Sequence, residues 1–390
     1  MLTVLATAKA TDSVSKTDTG GRRYAVLDAM RFVLALWVTI GHYEVFPIFA
    51  WVDPTTRVGR FLTHAWSSTV FGTPAVIVFF VISGFCIHLP YRGAAKLEVG
   101  RYYLRRYTRI LIPVVGAVCV YKFVGMRVRF WGEHSILWES PLWSLLCEEI
   151  YYAVYPLLRR MRRMMSWERA VMAAFVVSVA VAATQRHALS WHSFGPLGTA
   201  AILLPVWLLG CLLAEQADGL PAMTTPAQSI VGVGVSLRAT LSPTGRIWMW
   251  RFAAWFASWV AEMLHFKGGV PVTQTMAWFG LLAYFWVKNE IAYSKTHAPS
   301  RLLAWAGLWS YSLYLVHAPA TGIWGWLRVP NPGPYLVWCG VIGSSLLGAY
   351  LFYWVVERPS HRFARWIGAT RVRREIVAGW LPAGEKPSTV

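Results

Sequence analysis

Apolar residues run along this chain in long blocks separated by short polar, mostly basic segments. The blocks begin near Phe32, Pro74, Ile110, Leu142, Ala170, Ala200, Ile247, Thr273, Leu302 and Tyr335. Most reach the roughly 17 to 25 residues that a bilayer-spanning helix requires. The pattern predicts an all-α, polytopic integral membrane helix bundle of about ten transmembrane helices. The stretch from Ala227 to Leu237 is apolar but too short to span alone, so the pattern leaves the topology between residues 210 and 250 open. Residues 1–30 are polar and mixed and lack a signal-peptide core, and are expected to form a disordered cytoplasmic tail. Residues 31–360 are expected to form the membrane domain, and residues 361–390 a basic cytoplasmic tail.

Composition supports the same class: 56% of the residues are hydrophobic and only 14% charged, which is unusual for a soluble chain of 390 residues. With ten spans both termini share one side, and the basic residues say which. Placing the tails and alternate loops inside puts 28 of the 37 Lys and Arg residues there. That asymmetry predicts cytoplasmic termini. The net charge of +19 therefore sits in short loops beside spans, where topology and anionic headgroups account for it without nucleic acid. The five Cys residues lie in or beside apolar segments with no Cys-x-x-Cys spacing, so neither a disulfide framework nor a thiolate metal site is expected.

Four polar islands interrupt the apolar blocks. The first joins Arg31 and His42, eleven residues apart on one face of an apolar helix, a separation of about 16 Å. A His inside a nonpolar slab titrates near neutrality and is a functional candidate by default. Headgroup anchoring by Arg31 and a packing hydrogen bond from His42 would be the structural alternative. The second island runs from Pro141 to Pro156, where Ser144, Glu148, Tyr151, Tyr152 and Tyr155 share a helical face and Glu149 points elsewhere. An interfacial carboxylate in an aromatic belt is its structural alternative.

In the third, Ser310, Tyr314 and His317 recur at spacings of four and three, and Pro319 frees the carbonyl of Leu315, so a structural His on a kinked helix is the alternative to a catalytic one. The fourth is basic: Arg101, Arg105 and Arg109 form an i, i+4 stripe with Arg106 beside it. Positive-inside topology explains such a run, and so does a phosphate clamp built from guanidinium forks. Ser83-Gly84, within a span, is read as a site of close helix packing. Intramembrane His, Glu and Arg also build relays in secondary transporters and glycolipid flippases, although no internal repeat of interrupted helices is present in the sequence.

Taken in order, the islands resemble acyltransferase family 3, bacterial membrane acyltransferases that modify surface glycans and related acceptors. The resemblance is carried by Leu27-Asp28-Ala29-Met30-Arg31 through Gly41-His42, Phe79 to Phe85, Arg105 to Pro113, Trp143 to Pro156, Ser310 to His317, and Glu357-Arg358-Pro359. Ala29, Ile150 and Ala318 depart from the usual Gly, Gln and aromatic, and none is titratable. The resemblance implies ten helices in the bacterial inner membrane and an acyl-CoA donor, most often acetyl-CoA, approached from the cytoplasm. It implies an acceptor hydroxyl on a carbohydrate or glycolipid at the outer side, with surface-polysaccharide assembly machinery as a partner. About thirty residues follow Glu-Arg-Pro, too few for a further domain, so acceptor chemistry is expected to fall to the membrane part or to a separate partner.

On this resemblance His42, Glu148 and His317 are the expected catalytic residues, and Arg31, Arg105, Arg106 and Arg109 are expected to hold the donor. Ser144, Tyr152 and Tyr314 are expected to contact substrate, and no metal is implied. His42 would act as general base or become acylated itself, with Glu148 orienting or charging an imidazole and Arg31 holding a phosphate or a leaving thiolate.

Overall fold

The structure, a computed structural model, describes residues 24–43, 45–93, 96–125, 142–162, 164–224, 242–266 and 268–366. The amino-terminal tail through residue 23, Glu44, the apolar stretch at 227–237 and the basic tail from residue 367 lie outside the described residues.

Among the described residues the regular elements are all helical. In chain order they are α1 (Ala25–Tyr43), the short α2 (Arg57–Ser67), α3 (Gly72–His88), α4 (Val99–Phe123), α5 (Trp143–Met161) and α6 (Trp167–Thr184). Then follow α7 (Gly195–Gln216), α8 (Pro243–Phe266), α9 (Val272–Ser294), the short α10 (Arg301–Ala306), α11 (Ser310–Trp326) and α12 (Pro334–Phe352). A 3₁₀ turn at Gly307–Trp309 joins α10 to α11, and a π turn at Tyr353–Glu357 extends α12. Ten of these helices are 17 to 25 residues long, and each coincides with one of the apolar runs read from the sequence.

Among the described residues five helical stretches, Ala25–Tyr43, Arg57–Tyr91, Trp167–Thr184, Gly195–Gln216 and Pro334–Trp366, are long and apolar enough to cross a membrane. The other long helices, α4, α5, α8, α9 and α11, bring ionisable or polar side chains into the bundle. One such case is the Arg251–Glu290 pair between α8 and α9, whose two hydrogen bonds measure 2.7 and 3.0 Å, with Glu290 only 2% exposed. Arg251, within α8, is therefore the neutralising partner of a buried carboxylate.

α1 opens at Ala25, ahead of the tail boundary expected at residue 31, with Val26, Leu27, Ala29 and Met30 buried. Asp28 lies in its first turn, where a carboxylate suits the positive end of the helix dipole. Arg31 therefore lies inside the helix and not where it begins.

Small residues set the tightest approaches. A Cβ on Gly84 of α3 would fall 2.0 Å from the carbonyl oxygen of Trp207 on α7, and one on Gly210 would fall 2.1 Å from that of Val81. Only glycine permits this backbone contact, the close packing expected of Ser83-Gly84. At one end of α1 a Cβ on Gly307 would meet the Asp28 carbonyl oxygen at 2.1 Å; at the other, one on Gly41 would meet Gly72 N at 3.0 Å and Val70 O at 3.2 Å.

The apolar core falls into two clusters. One is built largely from α3, α5, α7 and α9; the other joins α4, α11 and α12. α1 gives Leu34 and Val38 to the first and Ala35 to the second, while α5 gives Cys147 to the first and the residue before it, Leu142, lies in the second. These two helices line the seam between the clusters, and the seam holds the polar islands.

Candidate active site

His42 occupies the last turn of α1, and His317 lies midway along α11; their ring centroids are 5.1 Å apart with a 40° tilt. His42 Nδ1 is 2.8 Å from Val38 O, and His317 Nδ1 lies 3.0 Å from Tyr314 O and 3.2 Å from Leu313 O. A carbonyl only accepts, so both Nδ1 atoms donate and both neutral rings carry their lone pair on Nε2. His317 is 0% exposed, and its Nε2 has no hydrogen-bond partner. Tyr43 shares its hydroxyl proton between the carbonyls of His317 at 3.4 Å and Ala318 at 3.3 Å, and Ser345, which donates to Val341 O at 2.8 Å, shares its proton with His317 O at 3.3 Å. α1 and α12 thus fix the backbone that carries His317.

α5 reaches the pair through Ser144, whose Oγ is 2.6 Å from the Tyr314 hydroxyl. Tyr314 is one turn from His317 on α11, with ring centroids 6.3 Å apart. Farther along α5, Glu148 Oε2 accepts from the Tyr152 hydroxyl at 2.9 Å, Tyr152 meets Ser83 Oγ at 2.8 Å, and Trp207 donates to the same Ser83 Oγ at 3.3 Å. The charges around Glu148 include those of Arg106, Arg31 and the neighbouring Glu149, and Arg106 lies over the Tyr152 ring at 5.3 Å.

The carboxylate expected to orient an imidazole therefore sits on the arginine side instead. The reason is depth: it is Ser144 that lies level with the imidazoles, and because α5 runs antiparallel to α1, stepping from Ser144 to Glu148 and Tyr152 leads away from His42 and toward Arg31. The single tyrosine face expected on α5 also divides. Tyr151 donates to Ala200 O at 2.8 Å, and Tyr155 lies 2.9 Å from His88 Nδ1, so both turn into the α3–α7 core.

Arg31 donates to Asp28 Oδ1 at 3.2 Å and to Cys86 Sγ at 3.0 Å. On α4 the basic run splits. Arg106 faces Tyr152, Arg109 donates to His361 Nε2 at 3.0 Å, and the charges around Arg109 include Arg106, Arg31 and Glu357. Arg105 is exposed. Arg31, Arg106 and Arg109 therefore converge, and Arg105 contributes to the surface of the basic segment.

Several residues of the site carry no role in the sequence reading. Glu357, 2% exposed, accepts from the backbone N–H of Ser312 at 3.1 Å and from its hydroxyl, and its other oxygen lies 3.7 Å from His361 Nε2. Its place in Glu-Arg-Pro was visible; a carboxylate at the end of an apolar run is the signal that marks it. Glu149, expected to point elsewhere, has a buried Oε2 with no partner. A further cluster links α3, α5, α6 and α7: His88 Nε2 is 2.9 Å from Glu215 Oε1, which also accepts from Trp167 Nε1 at 3.1 Å. Fully paired on both ring nitrogens, His88 reads as a structural joint between these helices.

The polar residues thus form a column along the seam, with two facing imidazoles at one end, a hydroxyl bridge, a carboxylate among arginines, and a cationic group at the other end. Such a column offers a proton acceptor at one end and an anion site at the other. No curated protein and no solved structure matches the chain. The family model for acyltransferase family 3, described as an acyltransferase domain, matches residues 24–354 and so includes every helix that builds this column. The chain belongs to acyltransferase family 3 and is a membrane acyltransferase.

Proposed function

We propose that the protein moves an acyl group, acetyl foremost, from acyl-CoA at the cytoplasmic face to a hydroxyl of a cell-surface or lipid-linked carbohydrate at the outer face. In this reading all ten long helices cross the bacterial inner membrane, both termini are cytoplasmic, and the Arg31 end of α1 faces inward. The observation that carries it is the His42–His317 pair, in which each imidazole spends its Nδ1 proton on a helix carbonyl and keeps Nε2 for chemistry.

Arg31, Arg106 and Arg109 supply the forked, permanently charged donors that CoA phosphates require, and Arg105 adds positive surface at the approach. The thioester end of the pantetheine arm then extends along the seam toward the imidazoles. His42 Nε2 takes the proton of the acceptor hydroxyl as its oxygen attacks the thioester carbon. The C–O bond forms, the C–S bond breaks, and the CoA thiolate leaves and recovers the proton as a thiol. His317, held at its backbone by Tyr43 and Ser345, stabilises the imidazolium side of that exchange, and Ser144 with Tyr314 offers hydroxyls to the acceptor or the acyl oxygen. Glu148 balances Arg31 and Arg106, so the cationic group stays open to one substrate anion at a time.

Purified protein in nanodiscs, incubated with acetyl-CoA radiolabelled in the acetyl group, tests the reading. An acyltransferase consumes the thioester in a His42-dependent way; a transporter or flippase leaves it intact.

A further inference from the structure

A second polar face lies on the carboxyl-terminal half of α8, outside the column. Trp255, Ser258, Trp259 and Glu262 recur at i, i+3, i+4 and i+7 and so share one side of the helix. Three of them end in a buried polar atom with no hydrogen-bond partner: Ser258 Oγ, Trp259 Nε1 and Glu262 Oε2. Ser258 is 0% exposed. Buried polar atoms are almost always paired, and an ionisable side chain within a membrane bundle marks function by default, so three open atoms on one face call for a partner from outside the chain.

The surroundings tie this face to His42. Trp255 Nε1 donates to Thr69 O at 2.9 Å, and the next residue, Val70, sets its carbonyl oxygen against Gly41, the neighbour of His42. Phe71 packs on His265 and Phe266 at the end of α8, with ring centroids 6.5 and 6.1 Å away. The turn from Thr69 to Gly72 therefore touches the imidazole end of α1 on one side and the polar face of α8 on the other.

The donor set selects the ligand class. An indole N–H only donates, a carboxylate oxygen only accepts, and a serine hydroxyl does both. A bare cation would use acceptors alone and an alkyl chain none. A sugar offers donors and acceptors on adjacent carbons, and its C–H face suits an indole ring. We propose that Ser258, Trp259 and Glu262 bind the sugar of the acceptor and present its hydroxyl across the Thr69–Gly72 turn to His42. The proposal rests on the acyl-transfer reading and adds to it a location and a chemistry for the acceptor.

The test follows label from [14C]acetyl-CoA into n-octyl β-glucoside, n-octyl β-galactoside, n-octyl α-mannoside and n-octylamine, using protein in nanodiscs. Wild-type protein is expected to label at least one glycoside. Glu262→Gln and Trp259→Phe, both close in shape to the native residues, are expected to raise the glycoside concentration for half-maximal labelling about tenfold. Half-saturation by acetyl-CoA should stay unchanged, which also reports that the variants are folded. An unchanged glycoside dependence in both variants would overturn the assignment, as would donor consumption with no glycoside labelled or with n-octylamine labelled in preference. Wild-type protein that leaves acetyl-CoA intact throughout would overturn the acyl-transfer reading itself, and this proposal with it.

Discussion

Glu357 accepts from both the backbone N–H and the hydroxyl of Ser312, and so anchors the first turn of the helix that carries His317 to the end of the last helix. A carboxylate far along the chain thereby helps fix the position of an imidazole. Glu357→Ala leaves two buried donors unpaired, at about 1–3 kcal/mol each. Its melting temperature should fall clearly below that of Glu357→Gln, which retains an acceptor oxygen. Fluorescence-detected thermal unfolding in detergent compares the two; equal melting temperatures would mean the anchor contributes nothing.

The imidazole pair should behave as one device. His42→Ala and His317→Ala are each expected to lower the rate of acetyl-CoA consumption by ~10²-fold or more at unchanged membrane abundance, the usual range for a lost general base. The double variant should be no worse than the poorer single, because groups that act together lose function non-additively. Rates that multiply would show two independent roles.

The split of the basic run gives a third expectation. Arg106→Ala, which removes the guanidinium over Tyr152, should raise the KM for acetyl-CoA by about tenfold or more, as losing a charge-assisted hydrogen bond of about 1.5–3 kcal/mol predicts. Arg105→Ala, at an exposed position, should stay within about twofold of wild type. Initial rates across donor concentration separate the two, and equal effects would return the whole run to a topological role.

Gly84→Ala and Gly210→Ala each force a Cβ into backbone on the facing helix. Overpacking of this kind typically costs about 1–3 kcal/mol, and here the obstacle is a carbonyl or an amide that no rotamer change can move. Folded yield on size-exclusion chromatography should drop sharply for both. Gly343→Ala, where a Cβ would meet nothing within 4 Å, is the matched control.

The helices were legible because long apolar blocks must be buried along a helix, and the ten long helices among the described residues fall on runs visible in the sequence, five of them within stretches long and apolar enough to cross a membrane. The start of α1 was not, because Leu27, Ala29 and Met30 are interspersed with Asp28 and Arg31 and do not form a continuous run. Periodicity placed Ser144 and Glu148 on a common face, and alternating spans run α5 against α1, but neither gives the depth of α5 beside α1, and depth decides that Ser144 meets Tyr314 while Glu148 meets arginines. In the basic run the spacing grouped Arg105 with Arg109, whereas the packing against Tyr152 and His361 selects Arg106 and Arg109. Buried partners such as Ser312 for Glu357 lie 45 residues apart and leave no local trace.

The contact of Gly307 with the Asp28 carbonyl acts as the zero mark of a gauge. From it, fourteen residues along α1 lead to His42 and ten along the neighbouring run lead to His317. Each residue advances a helix by about 1.5 Å and turns it by about 100°. One residue inserted between Gly307 and His317 would swing that imidazole away from its partner without removing any residue of the site from the sequence. The chemistry therefore depends on counting as much as on composition: the lengths of these two intervals should tolerate change less than most of the residues within them.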